Sequence, residues 1–264
     1  MYNSSLKKGG GNLNTFNHVA IITGAASGIG AAATIRLAKQ GVKPVLVDLN
    51  SCENTIKELS SMETEYLEFQ GDIRDEAFVN KVVKETIKKM GAIHILVNNA
   101  GTCGRVSLDK MTEEIWDRDL DTNVKAAYFF IKAVIHPHML NNKYGRIINI
   151  SSVSGINGGV ISNVKGMKDG RSGAAYAASK GAVIALTNWI AKEYGEHGIT
   201  CNSVAPGATE TGITKGMEYN LDQQVIKRIG TPEDIAEAIC YFVSPYAGYT
   251  TGQTLKVDGG VHIG

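Results

Sequence analysis

Tyr176 and Lys180 stand four residues apart in Tyr176-Ala-Ala-Ser-Lys180, inside an amphipathic stretch that reads as a helix from about Ala174 to Tyr194. That spacing puts both side chains on one helix face. A phenol with a pKa near 10 is a poor base at neutral pH. A neighbouring ammonium favours its phenolate, and such a pair can move a proton to or from an alcohol oxygen. Tyr-x-x-x-Lys is a common helical accident, so the residues around it matter. Asn149-Ile150-Ser151-Ser152 ends an apolar strand, and a serine hydroxyl there can donate to a substrate oxygen as charge develops. Asn98-Asn99-Ala100-Gly101 ends another strand. Asn123 falls on or near the apolar face of a long helix, where a buried carboxamide needs partners. Beside Lys180 it would hold a water that passes protons to solvent.

The partner chemistry is a hydride carrier. Val19 to Thr23 is a buried-strand pattern that runs into Gly24-Ala25-Ala26-Ser27-Gly28-Ile29-Gly30 and then a helix. Gly24 permits a tight turn, Gly28 lets backbone approach a diphosphate, and Gly30 allows helix to pack on strand. The helix N-terminus supplies unpaired N–H groups and positive partial charge for phosphates. Asp48 ends the second strand, 18 residues after Gly30 (48 − 30). A carboxylate there accepts from both ribose hydroxyls and repels a 2′-phosphate. Leu49 follows it, and positions 25 to 27 carry no cation, so NAD is expected over NADP. Asp72 closes the third strand, where it could meet an adenine amino group with Ile73 against the ring.

Positioning these residues takes alternating strands and helices. Strands are expected at 19–23, 44–48, 66–70, 95–98, 145–150, 200–204 and 255–257. Helices are expected at 29–40, 52–61, 77–90, 113–140 (continuous), 174–194 and 232–243. The alternation predicts an α/β fold of the Rossmann type, a doubly wound, mostly parallel seven-stranded sheet with helices on both faces. Residues 155–173 and 207–221 read as loops, the second with room for a short helix. Residues 1–17 read as a flexible polar leader, and 18–264 as one dinucleotide-binding oxidoreductase domain.

Composition narrows the function. The chain has 264 residues, 43% hydrophobic and 20% charged, with net charge +1. That balance gives no electrostatic footprint for nucleic acid or an anionic membrane. No apolar run reaches membrane-spanning length, and a cytoplasmic location is the default expectation. Cys52, Cys103, Cys201 and Cys240 are too scattered for a disulfide framework or a zinc site. His136-Pro137-His138 lacks the acidic or cysteine neighbours of a metal site, so no metal is expected. Cys103 falls near the substrate side, with no base in view to make it a nucleophile. Trp116 and Trp189 sit in helical apolar patterns that suggest core or subunit packing.

Taken together these motifs resemble the short-chain dehydrogenase/reductase family, from about His18 to Val261. Thr-Gly-x-x-x-Gly-Ile-Gly at 23–30, Asn-Asn-Ala-Gly at 98–101, Asn123, Ser152, Tyr176-x-x-x-Lys180, Pro206-Gly207 and Val257-Asp258-Gly259-Gly260 carry the likeness. The resemblance implies a catalytic tetrad of Asn123, Ser152, Tyr176 and Lys180, with Ser152 as the serine. Lys180 would also hold the nicotinamide ribose. Gly24, Ser27, Gly28, Ile29, Gly30 and Asp48 would bind the dinucleotide, as would Asp72, Ile73, Asn99, Ala100 and Gly101. Pro206, Gly207, Thr209 and Thr211 would run along the nicotinamide. It implies a small alcohol or ketone substrate and a homotetramer or homodimer, pairing through the long helix and the Tyr176 helix.

One departure stands out. Ser152 and Tyr176 are 24 positions apart (176 − 152), wider than is common in the family. The extra residues fall in 158–172, with Lys165, Lys168, Asp169 and Arg171. They read as a tolerated surface insertion, or as a longer wall beside an anionic or polar substrate. The expected activity is NAD-linked interconversion of a secondary alcohol and a ketone. A 3-oxoacyl thioester reductase and an inactive dinucleotide-binding sensor are the alternatives. The Tyr–Lys spacing is narrower than enoyl reductases of this fold generally show.

Overall fold

The computed structural model describes residues 17–159, 172–214, 221–222 and 224–263. The expected leader, the basic residues 165–171 and part of the 207–221 loop lie outside these residues, apart from Asn17 and the loop's two ends. In chain order the main elements are β1 (Val19–Thr23), α1 (Gly28–Ala38), β2 (Lys43–Asp48), α2 (Glu53–Ser61), β3 (Leu67–Gln70), α3 (Glu76–Met90) and β4 (Ile95–Asn98). They continue with α4 (Glu113–Leu120), α5 (Ala126–Val134), α6 (Leu140–Asn142), β5 (Gly145–Ile150), α7 (Ser154–Asn157), α8 (Ala174–Tyr194), β6 (Ile199–Pro206), α9 (Pro232–Val243) and β7 (Thr254–Val257).

The seven strands form one sheet in the order β3-β2-β1-β4-β5-β6-β7, and every pairing is parallel. A parallel sheet must be covered on both faces, and the strands show it: β1, β4, β5 and β6 are buried throughout. Successive residues feed opposite layers. Ile95 and Val97 pack with Leu37 of α1, Leu59 of α2 and Phe242 of α9. Leu96 packs with Val82 of α3, Phe130 of α5 and Ile190 of α8. The expected α/β Rossmann-type architecture is therefore present. Strand order reverses between β1 and β4, and in such sheets the crevice past the carboxyl ends at that point is where ligands bind.

Two sequence expectations need correction, and a third is narrowed. The helix over 113–140 is not continuous. Between α4 and α5 the backbone takes a π-helical turn, Asp121–Lys125, and a second, Ile135–Met139, follows α5 with His136 outside helical geometry. Apolar spacing read over the whole stretch averages across such single inserted turns and does not locate them. Residues 155–173 are not all loop: Ser154–Asn157 forms one helical turn, closed by Gly158 at φ +81. Of the core or subunit packing expected for Trp116 and Trp189, the exposure of 40% and 57% excludes the core of this chain and leaves subunit packing open.

Candidate active site

At the carboxyl end of the sheet lies a cleft of about 660 Å³, the size of a small-molecule site. Its floor comes from strand ends. Thr23 of β1 holds the loop after β4, because its hydroxyl accepts from the amides of Asn99 and Ala100, each at 3.0 Å. The Asn99 side chain donates to Thr23 O (2.9 Å) and Gly24 O (3.3 Å). A methyl group on Gly24 would come within 2.7 Å of the Asn99 amide, and one on Gly30 would overlap Gly24 O. So Gly24 and Gly30 are required by the protein's own packing. Asn99, expected only as a cofactor contact, is also the tie between two strands.

The turn between β1 and α1 fits a dinucleotide. Ser27, Gly28 and Ile29 line the cleft. No side chain caps α1, and its first turn holds no acidic residue. Its free N–H groups are therefore available to a diphosphate. Asp48 lines the same end; its Oδ2 accepts from Ala26 N and its Oδ1 from Asn50 N, both at 2.9 Å. Those bonds fix the carboxylate and leave lone pairs toward the cleft. Asp72 also lines the cleft. Arg74 grips both its oxygens, at 3.0 Å from Nε and 2.6 Å from a terminal nitrogen. This pairing holds the Asp72 carboxyl below its ordinary range. Ile73 is buried at the cleft wall, as an adenine-facing residue would be.

The other end gathers Ser152, Tyr176 and Lys180. Lys180 is buried and donates to Ile150 O at 2.7 Å, and its ammonium lies 5.7 Å from the Tyr176 ring centre. Burial pulls its pKa down to about 8, against the opposing pull of Cys103 and Asp119. Ser151 is spent inside the sheet: it donates to Val204 O at 3.1 Å and accepts from Ser203 at 2.6 Å. Ser152 accepts from Ser154 N at 3.1 Å, which leaves its own proton to give. Both serines line the cleft, and Ser152 is the one whose hydroxyl proton is not already donated to the sheet.

Asn123 lies in the π-helical turn, which aims its carboxamide at the loop after β4. Its Oδ1 accepts from Thr102 N at 2.8 Å, and its Nδ2 donates to Thr102 O and Ser179 Oγ, both at 2.9 Å. These bonds use both Nδ2 protons and leave one Oδ1 lone pair for the water expected from sequence. The side chain clamps the β4 loop to α8 beside Lys180. An enclosed space of about 10 Å³, roughly one water, is bounded by Asn98, Asn123, Asn149 and Lys180.

Several contributors escaped the sequence reading. Asp119 is fully buried and accepts from Thr102 Oγ1 (2.9 Å), Gly104 N (2.7 Å) and Arg118 (3.2 Å). Its only sequence signal was the spacing of four to Asn123. Arg105 and Arg118 line the substrate end, and Arg105 donates to Ile213 O across the cleft at 3.2 Å. Burial pushes the Cys103 thiol up, consistent with an unreactive cysteine. His136 bonds the Tyr194 hydroxyl at 3.0 Å, and no metal-holding cluster is found among the described residues. Pro206, Gly207, Thr209 and Thr211 line the cleft on the far side of β6.

Comparison with known proteins agrees with this frame. A family model described as enoyl-(acyl carrier protein) reductase matches residues 24–262. The chain is 36% identical over 251 residues to the (2S)-((R)-hydroxy(phenyl)methyl)succinyl-CoA dehydrogenase subunit BbsD of Thauera aromatica, covering 92% of this chain and 96% of that one. It is 35% identical over 252 residues to the 3-oxoacyl-(acyl-carrier-protein) reductase of Thermotoga maritima, covering 93% and 98%. A short-chain dehydrogenase/reductase of Hericium erinaceus is 35% identical over 255 residues, covering 92% and 96%. The chain belongs to the short-chain dehydrogenase/reductase family, oxidoreductases that use a nicotinamide dinucleotide.

Proposed function

We propose that this protein is an NAD(H)-linked oxidoreductase that interconverts a secondary alcohol and a ketone, with a 3-hydroxyacyl or 3-oxoacyl thioester as the substrate class. The carrying observation is the convergence of Ser152, Tyr176 and buried Lys180 at one end of a cleft whose other end holds an uncapped helix and Asp48. When bound, the nicotinamide supplies the hydride acceptor or donor. Ser152 donates to the substrate oxygen. Tyr176 takes the alcohol proton in oxidation and returns it in reduction. The Lys180 ammonium favours the Tyr176 phenolate and holds the nicotinamide ribose, and Asn123 supports the proton path by clamping the Lys180 surroundings.

Asp48 supports NAD over NADP, since the cation nearest that end, Arg74, is committed to Asp72. Gly101, Pro206, Gly207, Thr209 and Thr211 complete the dinucleotide site. The thioester reading draws on the relatives named for CoA and acyl-carrier substrates, and on Arg105 at the cleft, which suits an anionic group. Residues 18–264 act as one unit in this reading. Trp116, Tyr128 and Trp189 are exposed on α4, α5 and α8 and suit a homotetramer or homodimer. Among the described residues no helix is long and apolar enough to cross a membrane, and we assign the enzyme to the cytoplasm.

The test is turnover of acetoacetyl-CoA, 3-hydroxybutyryl-CoA, a polyol and a hydroxysteroid with each dinucleotide, followed by absorbance of the reduced nicotinamide. Thioester turnover with NAD(H) is expected. Turnover confined to NADP(H) overturns the cofactor assignment. Preference for polyol or steroid overturns the substrate class, and dinucleotide binding without any turnover favours a sensor.

A further inference from the structure

Past β7 the chain turns back over the substrate end of the cleft. Asp258 is buried there, and both its oxygens are engaged. Oδ1 accepts from Gly260 N at 3.0 Å; Oδ2 takes His262 N at 3.0 Å and bonds His262 Nδ1 at 2.8 Å. Burial pushes the Asp258 carboxyl up, but the bonds from His262 and Gly260 outweigh it and leave it below the usual range. His262 Nε2 faces the Asn157 Nδ2 at the end of α7, within hydrogen-bond distance. Asp258, His262 and Asn157 all line the cleft.

The proton positions follow from the partners. Gly159 N donates to Asn157 Oδ1 at 2.9 Å, which fixes that amide and leaves Nδ2 as the group facing His262. Nδ2 can only donate, so Nε2 must accept. The imidazole is then neutral, with its proton on Nδ1 toward Asp258. A proton added at Nε2 would set donor against donor. Rotating the Asn157 amide would only move the clash to Gly159 N.

We infer that His262, oriented by Asp258, is a positioning residue: it latches α7 to the carboxyl-terminal turn and so holds Ser152 in place. The lever is short. Asn157 ends α7, and Ser154 at its start donates to Ser152 Oγ. On its inner side Gly155 packs so tightly on the Lys180–Gly181 backbone that a methyl group would overlap Lys180. The turn itself is anchored to a third wall, with Val225 N and Ile226 N donating to Gly259 O at 3.0 and 2.9 Å. Among the described residues, the charged group bonded to His262 is Asp258 on its own turn; from α7 it meets the neutral Asn157. In the flanking segment Lys227 donates to the carbonyls of Leu221 and Asp222, and Arg228 pairs with Asp234. The role in Ser152 placement rests on the catalytic reading above; the latch does not.

Hydrogen exchange of the full-length protein, over a peptide spanning 153–159 and corrected for intrinsic rate, tests the latch without any substrate. Protection is expected in the wild type and should fall roughly fivefold or more in His262→Ala, the value of one hydrogen bond. His262→Gln keeps an acceptor toward Asn157 and should stay protected. Asn157→Ala removes the donor and should lose protection as His262→Ala does. Equal protection of wild type and His262→Ala, or a Gln variant that loses protection as the Ala variant does, overturns the latch. With acetoacetyl-CoA as probe, His262→Ala should lower kcat/KM roughly fivefold at about pH 8, leave the KM for the dinucleotide unchanged, and be rescued by Gln. Normal kcat/KM in His262→Ala with the exchange results intact overturns the positioning of Ser152 alone.

Discussion

The two ends of the cleft are built by different means. The dinucleotide end is made of backbone: strand ends in register, the Gly24–Gly30 turn, and amides that tie Asn99 and Asp48 in place. The substrate end is made of side chains that reach between segments far apart in the chain, such as Asn123 to Ser179, Asp119 to Gly104, Arg105 to Ile213 and Asn157 to His262. A backbone-built site tolerates little change in shape but many changes in outer side chains. A site built from side chains can be retuned residue by residue, which suits a family with one cofactor class and many substrates.

That contrast sets the expected effects. Tyr176→Phe should lower kcat by about a thousandfold while leaving NADH affinity unchanged, as steady-state rates and a binding titration would read. A near-normal rate would remove Tyr176 from its role. Gly30→Ala should destabilise the fold by about 3 kcal/mol or more, because the new methyl overlaps Gly24 O, with thermal unfolding as the readout. Tolerance of that change would show that the dinucleotide end is softer than its packing implies. Asp48→Ala should shift the ratio of NADPH to NADH dissociation constants about tenfold toward NADPH, with kcat on the preferred substrate little changed. An unchanged ratio would place cofactor choice elsewhere in the cleft.

Much of the dinucleotide end was legible in the chain because its rules are local. A glycine turn between strand and helix, an acidic residue at the next strand end, and alternating apolar runs are patterns within some 30 residues. The seven strands and their flanking helices fell within a residue or two of expectation, except the helix over 113–140, which π-helical turns divide. The Tyr176–Lys180 pair was visible for the same reason, lying on one turn of α8. The π-helical turn at Asn123 was hidden, since the partners of its carboxamide, Thr102 and Ser179, lie 21 and 56 positions away.

The sequence by itself determined the layered fold, the strand-end turn and the types of residue able to move a proton and hold a dinucleotide, because each is set by neighbours along the chain. Only the tertiary structure decided what those residues touch. It committed Asp72 to Arg74 and Ser151 to Ser203, and so singled out Ser152. It also made Asn123 a clamp and brought His262 from the end of the chain to Asn157. Such contacts join residues up to 105 positions apart, and no local propensity or period encodes which distant donor meets which acceptor.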